Sequence, residues 1–179
     1  NHALHGFWGN RAMTVKTEQA NENGAVLSLV YDYEGDYEGY PFPFNAEIFF
    51  YLCSGFEMRF RVENTGDASM PFGCGWHPYF RLGQEPADNL ELKLPSTITL
   101  ELDDRKIPTG KTGKLDGFDT RQIIGKTDLD TAFVLENQPG RAVTELYSKT
   151  KQNGLRVWQE TGIDKYNYLQ VYTPYTRKS

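Results

Sequence analysis

The chain has 179 residues, of which 39% are hydrophobic and 24% charged, enough for one domain with a core of its own. A formal net charge of −5, with 19 Lys and Arg dispersed among 24 Asp and Glu, leaves no basic footprint for nucleic acid. No apolar run reaches the ~18 residues of a membrane-spanning helix.

In chain order, residues 13–18 alternate as a strand does, and Asn23-Gly24 has the chemistry of a hairpin turn into a second strand over 25–31. Two more strands follow at 48–52 and 56–62, joined through Ser54-Gly55, and Asn64-Thr65-Gly66 ends the second. Residues 90–94 and 98–102 alternate cleanly, and 143–147, 155–159 and 168–172 close the series. Residues 34–43, rich in Tyr, Gly and Pro, form a long loop in this reading, and so do 103–120, charged and Gly-rich. No stretch carries a helical apolar stripe of three turns. Short strands at roughly 8–12-residue spacing predict an all-β sandwich or barrel. The 11 Tyr, 11 Phe and 3 Trp fit that class, most in the core and a few left to line a cleft.

Cys53 and Cys74 make neither a disulfide framework nor a CxxC pair, and reduced, partly buried thiols are expected. His2 and His5 are the only closely spaced histidines, and nothing points to the further ligands a zinc site needs. The chain begins at Asn1 without Met, signal peptide or transit peptide and stops at Ser179 just after a strand-like run. It therefore reads as a single domain over 1–179 that is part of a larger one, cytoplasmic, with its oligomeric state open. A piece of this kind is expected to expose sheet edges and core.

Four constellations carry chemical groups. In Cys74-Gly75-Trp76-His77-Pro78-Tyr79-Phe80, Pro78 pushes His77 toward extended geometry. Period-2 alternation then sets His77 and Tyr79 on one side and Trp76 and Phe80 on the other. An imidazole beside a phenol and ring faces suits a polar ligand with apolar faces, such as a sugar; the alternative is a histidine satisfied inside an aromatic cluster. His5-Gly6 allows a tight turn or close approach to a ligand, although alone it is an ordinary loop histidine. Asp128-Leu129-Asp130-Thr131-Ala132-Phe133 leads an acidic pair into an apolar run, as turn chemistry or as a carboxylate for sugar hydroxyls. In 168–174, Tyr168, Gln170 and Tyr172 share one face, sugar-facing or simply solvated. Nucleotide and flavin motifs are absent.

Taken in order, these stretches resemble the aldose 1-epimerase (galactose mutarotase) family. The matching pieces are His5-Gly6-Phe7, Tyr40-Pro41-Phe42, Val62-Glu63-Asn64-Thr65-Gly66 with Met70-Pro71-Phe72, Gly75-Trp76-His77-Pro78-Tyr79-Phe80, Leu129-Asp130-Thr131-Ala132-Phe133 and Leu169-Gln170-Val171-Tyr172-Thr173. The resemblance implies a galactose-mutarotase-like β-supersandwich of mostly antiparallel strands, here incomplete. It implies a cofactor-free isomerase whose only partner is a small-molecule sugar, with no nucleic acid and no membrane. Interconverting the anomers of a free hexose requires a proton on the ring oxygen and the loss of one from the C1 hydroxyl. By resemblance His77 is the general acid, a task suited to histidine because its ordinary pKa lies near ~6.5. His5 is the second family histidine, and Asp130 holds sugar hydroxyls, with Tyr79 and Gln170 beside it.

The family's general base is a glutamate that follows the strand resembling 169–173, a position beyond Ser179, and an arginine precedes its His-Gly motif. Neither Glu160 nor Glu136 matches the glutamate position. Arg11, close behind His5-Gly6-Phe7, is similar instead to the hexose-6-phosphate 1-epimerase branch, where arginines clamp a phosphate. Three readings follow: an aldose 1-epimerase acting on free hexoses, a non-catalytic carbohydrate-binding protein, or a sugar-phosphate epimerase.

Overall fold

A computed structural model describes residues 5–6, 8–135 and 140–173. Among these residues every strand pairing is antiparallel, and the one helical element is a single 3-10 turn, Ala87–Asn89. The all-β expectation is borne out. The chain divides into two units, Asn1–Cys74 and Gly75–Ser179.

In the first unit, β1 (Thr14–Asn21), β2 (Gly24–Tyr33), β3 (Phe44–Leu52) and β4 (Phe56–Asn64) form a meander in the order β1-β2-β3-β4. The first turn comes one residue earlier than Asn23-Gly24: the loop is Glu22-Asn23, and Gly24 already pairs with Asn21. The Asn21 side-chain oxygen accepts the Asn23 N–H at 2.8 Å. Gly24 has a φ of 148°, and a Cβ there would stand 2.4 Å from the Leu52 carbonyl oxygen, so the position needs glycine.

Register sets Leu27, Leu29, Tyr31 and Tyr33 opposite Phe50, Ile48, Ala46 and Phe44, which continue to Met58, Phe60 and Val62 on β4. Because successive side chains alternate, all of these lie on one face. One end of that face is sealed: Tyr33, Phe44 and Ala46 are buried, with Trp8, Tyr31, Tyr40, Val62 and Met70 around them. At the other end Leu52 and Phe56 are 56% and 49% exposed. Cys53 follows β3 and is exposed, not partly buried as expected, because it falls in a tight turn where its N–H bonds the Gly55 carbonyl at 3.0 Å; Cys74 is half-buried.

The second unit holds two four-stranded sheets. One contains β5 (Glu91–Lys93), β8 (Gln122–Ile123), β10 (Gly140–Ser148) and β11 (Asn153–Thr161) in the order β11-β10-β5-β8. The other contains β6 (Ile98–Leu102), β7 (Pro108–Lys114), β9 (Leu129–Val134) and β12 (Tyr168–Thr173) in the order β12-β9-β6-β7. Leu92 of β5, with Leu90 and Leu94 flanking that strand, meets Leu129 and Phe133 of β9, with Phe118 and Ile124 completing the buried cluster. Leu146, Leu169 and Val171 pack against it.

Strand β7 lies inside the segment expected to be loop. It occupies a sheet edge and exposes every residue except the half-buried Gly113, so its register with β6 is carried by the backbone and leaves no apolar signature. Residues 71–82 form no ladder at all, so the extended segment around His77 is not a sheet strand.

Candidate functional site

Strands β9 and β12 bring two of the candidate residues together. Asp130 sits opposite Tyr172, and Ala132 opposite Gln170. Leu169 and Val171 turn toward the core, which leaves Tyr168 and Gln170 exposed and Tyr172 half-buried on the other face. The diagonal neighbour of Asp130 on that face is Gln170, and its Nε2 donates to Asp130 Oδ1 at 2.9 Å. Asp130 therefore belongs to a strand and not to a local turn, and its side chain remains 60% exposed.

A cation approaches the second carboxylate oxygen. Lys106, in the turn between β6 and β7, places Nζ 3.9 Å from Asp130 Oδ2. The turn is organised by Asp103, whose Oδ1 accepts the N–H groups of Arg105 and Ile107, each at 2.9 Å. The Ile107 N–H above all, then that of Arg105 and its side chain, holds the Asp103 carboxyl below its ordinary range. Backbone bonds from Lys106 N–H to the Asp103 carbonyl at 2.9 Å and from Asp103 N–H to the Ile107 carbonyl at 2.8 Å close the loop, with Lys106 at a φ of 64°.

The 76–80 segment supplies the aromatic wall. Trp76 and Phe80 meet edge to face at 6.0 Å, and the His77 and Tyr79 rings lie 5.3 Å apart. These are the two pairs that alternation predicts, held here without a sheet. Tyr79 in turn meets Tyr172 edge to face at 6.5 Å. His77 is exposed and Tyr79 is 74% exposed, so the imidazole is not sealed inside the core.

His77, Tyr79, Tyr172, Asp130, Gln170 and Lys106 thus form one open surface cluster in the second unit. Lys106 was not foreseen. The Asp-x-x-Lys turn is visible in the sequence, but its approach to Asp130 depends on β6 pairing with both β7 and β9.

The remaining candidates belong elsewhere. His5 and Gly6, in the first unit, take consecutive left-handed conformations at φ 61° and 69°, the tight turn expected of that dipeptide. Arg11 donates its N–H to the Trp8 carbonyl at 3.0 Å, and its guanidinium lies 4.0 Å from Asp36. Glu160 is exposed and paired with Lys165 at 3.3 Å. Phe7 and Glu136 lie outside the described residues. Two concave regions, of about 260 Å³ beside Leu27 and Phe50 and about 300 Å³ beside Glu85 and Lys149, contain none of the cluster. Among the described residues no three His, Cys, Asp or Glu side chains stand together as a metal set, and no helix is long and apolar enough to cross a membrane.

A solved structure described as a galactose mutarotase-like protein from Clostridium acetobutylicum matches with a TM-score of 0.79 at 19% identity, a likeness of fold. The match covers 94% of this chain and 54% of that one, so the chain spans about half the length of that relative. The comparison with curated proteins returns no match. The family model for aldose 1-epimerase matches residues 1–179, end to end, and the chain belongs to the aldose 1-epimerase family.

Proposed function

We propose that the protein interconverts the α and β anomers of a free hexose by acid/base ring opening. His77 gives a proton to the ring oxygen as the C1–O5 bond breaks, while a base removes the C1 hydroxyl proton. The open-chain aldehyde rotates about C1–C2, and the reverse steps close the ring on the other face. Protons balance over the cycle, so no cofactor is consumed.

The observation that carries this reading is the ring row from exposed His77 and Tyr79 to half-buried Tyr172, beside the Asp130–Gln170 pair. Aromatic rings suit the apolar face of a pyranose, and a carboxylate suits its hydroxyls. In this reading the base is the family glutamate expected after the strand corresponding to β12. Glu160, on β11 of the other sheet and beside Lys165, does not match that position and is given no such part.

Polarimetry of the intact protein with freshly dissolved glucose or galactose tests the proposal. A faster approach to the equilibrium rotation is expected, and His77→Gln should slow kcat by about 10²–10⁴. No acceleration over buffer anywhere between about pH 5 and 8 overturns it; sugar binding without acceleration leaves a binding protein instead.

A further inference from the structure

We infer that Lys106 is a specificity-determining residue: with Asp130 it clamps one hydroxyl of the bound sugar, donating to the oxygen while Asp130 accepts the proton. This rests on the reading of the cluster as a sugar site and adds a contact to it. The Lys106 Nζ to Asp130 Oδ2 distance of 3.9 Å is longer than the ~2.7–2.9 Å of a direct charge-assisted hydrogen bond. It is short enough for one oxygen to stand at hydrogen-bond distance from both. The chemistry is complementary: an ammonium only donates, a carboxylate only accepts, and a hydroxyl does both.

The other carboxylate oxygen, Oδ1, is engaged by Gln170, which leaves Oδ2 as the one turned toward the ammonium. The two charged side chains are 72% and 60% exposed, and such a pair contributes little to stability. The fold does not need this approach. Even so, Lys106 is held in a left-handed conformation by the hydrogen bonds of the Asp103 turn. The clamp discriminates by position: a sugar lacking the bridged hydroxyl leaves both charges without it.

The test measures dissociation constants by calorimetry for the intact protein and Lys106→Met, which keeps the stem without the charge, with hexose and its 2-, 3-, 4- and 6-deoxy analogues. Thermal unfolding of both proteins checks that the fold is unchanged. Expected is a ten- to hundredfold, order-of-magnitude weakening of hexose binding by Lys106→Met. That loss should vanish for one deoxy analogue, which the unaltered protein already binds weakly. Equal hexose affinity of the two proteins overturns the inference, as does a loss of the same size for every analogue. A protein that binds hexose and shows the one-position pattern, yet does not speed mutarotation, supports the clamp while the proposed reaction fails. A protein that binds none of the sugars overturns both.

Discussion

Glu145 shows how single carboxylates stabilise a fold with so little helix. Its Oε2 accepts from Arg121 Nε at 3.0 Å and Nη2 at 2.8 Å, and its Oε1 lies 3.3 Å from Arg156 Nε. Arg121 also covers the Tyr147 ring at 4.4 Å, so the pair ties the end of the β5–β8 region to β10. The Arg121 hydrogen bond, with the nearby positive charges, holds the Glu145 carboxyl below its ordinary 4.5. The unfolded chain therefore binds this proton more readily than the folded one. The stabilisation is fully present above pH 4.5 and is lost as pH falls through the lowered folded value. Glu145→Gln should cost about 1 kcal/mol at neutral pH, and its deficit should shrink on acidification below that range. Urea midpoints at pH 7 and near pH 3.5 check this; a deficit independent of pH would contradict it.

The β6–β7 hairpin is the element on which the cluster most depends. Asp103 satisfies two backbone donors across the turn, and Lys106 inherits its position from that scaffold. Asp103→Ala should leave the sandwich folded while the Arg105 and Ile107 amides exchange with solvent faster, on the order of tenfold. Hexose affinity should fall in the same variant; unchanged exchange at both amides would show that the turn does not rely on this side chain. Such an element is nearly invisible in sequence. Strand β12 was legible because one side is packed, giving clean alternation in Leu169-Gln170-Val171; β6 alternates as cleanly in Ile98-Thr99-Leu100, although there it is Thr99 that lies opposite the buried Phe133 and all three residues are half-buried. Strand β7 has no packed side, and its Gly and Lys residues carry the signature of a loop. Strand β9 was masked by Asp128 and Asp130 at its start, which have the chemistry of a turn. His77, Tyr79, Asp130 and Gln170 were legible as motifs, whereas the approach of Lys106 to Asp130 is a product of strand order.

At the scale of the whole molecule, the first sheet has two faces of different character. One carries an apolar row, sealed around Phe44 but exposed around Leu52 and Phe56, where the open depression is lined by Ala25, Leu27 and Phe50. Contiguous apolar surface of this kind drives association when nothing covers it. The edge strands are guarded differently: β1 carries Lys16 and Glu18, and β4 carries Glu57, Arg59, Arg61 and Glu63, charges that discourage pairing with another chain. Self-association of residues 1–179 should therefore proceed through the face and not the edge. Light scattering as a function of concentration distinguishes the two. Leu52→Ser combined with Phe56→Ser should lower the scattering and the binding of a hydrophobic dye several-fold, while Arg59→Ser with Arg61→Ser should raise the scattering or leave it unchanged. If the edge pair of substitutions suppressed association and the face pair did not, the apolar row would have to be satisfied within the chain itself, and the exposure of Leu52 and Phe56 would need another account.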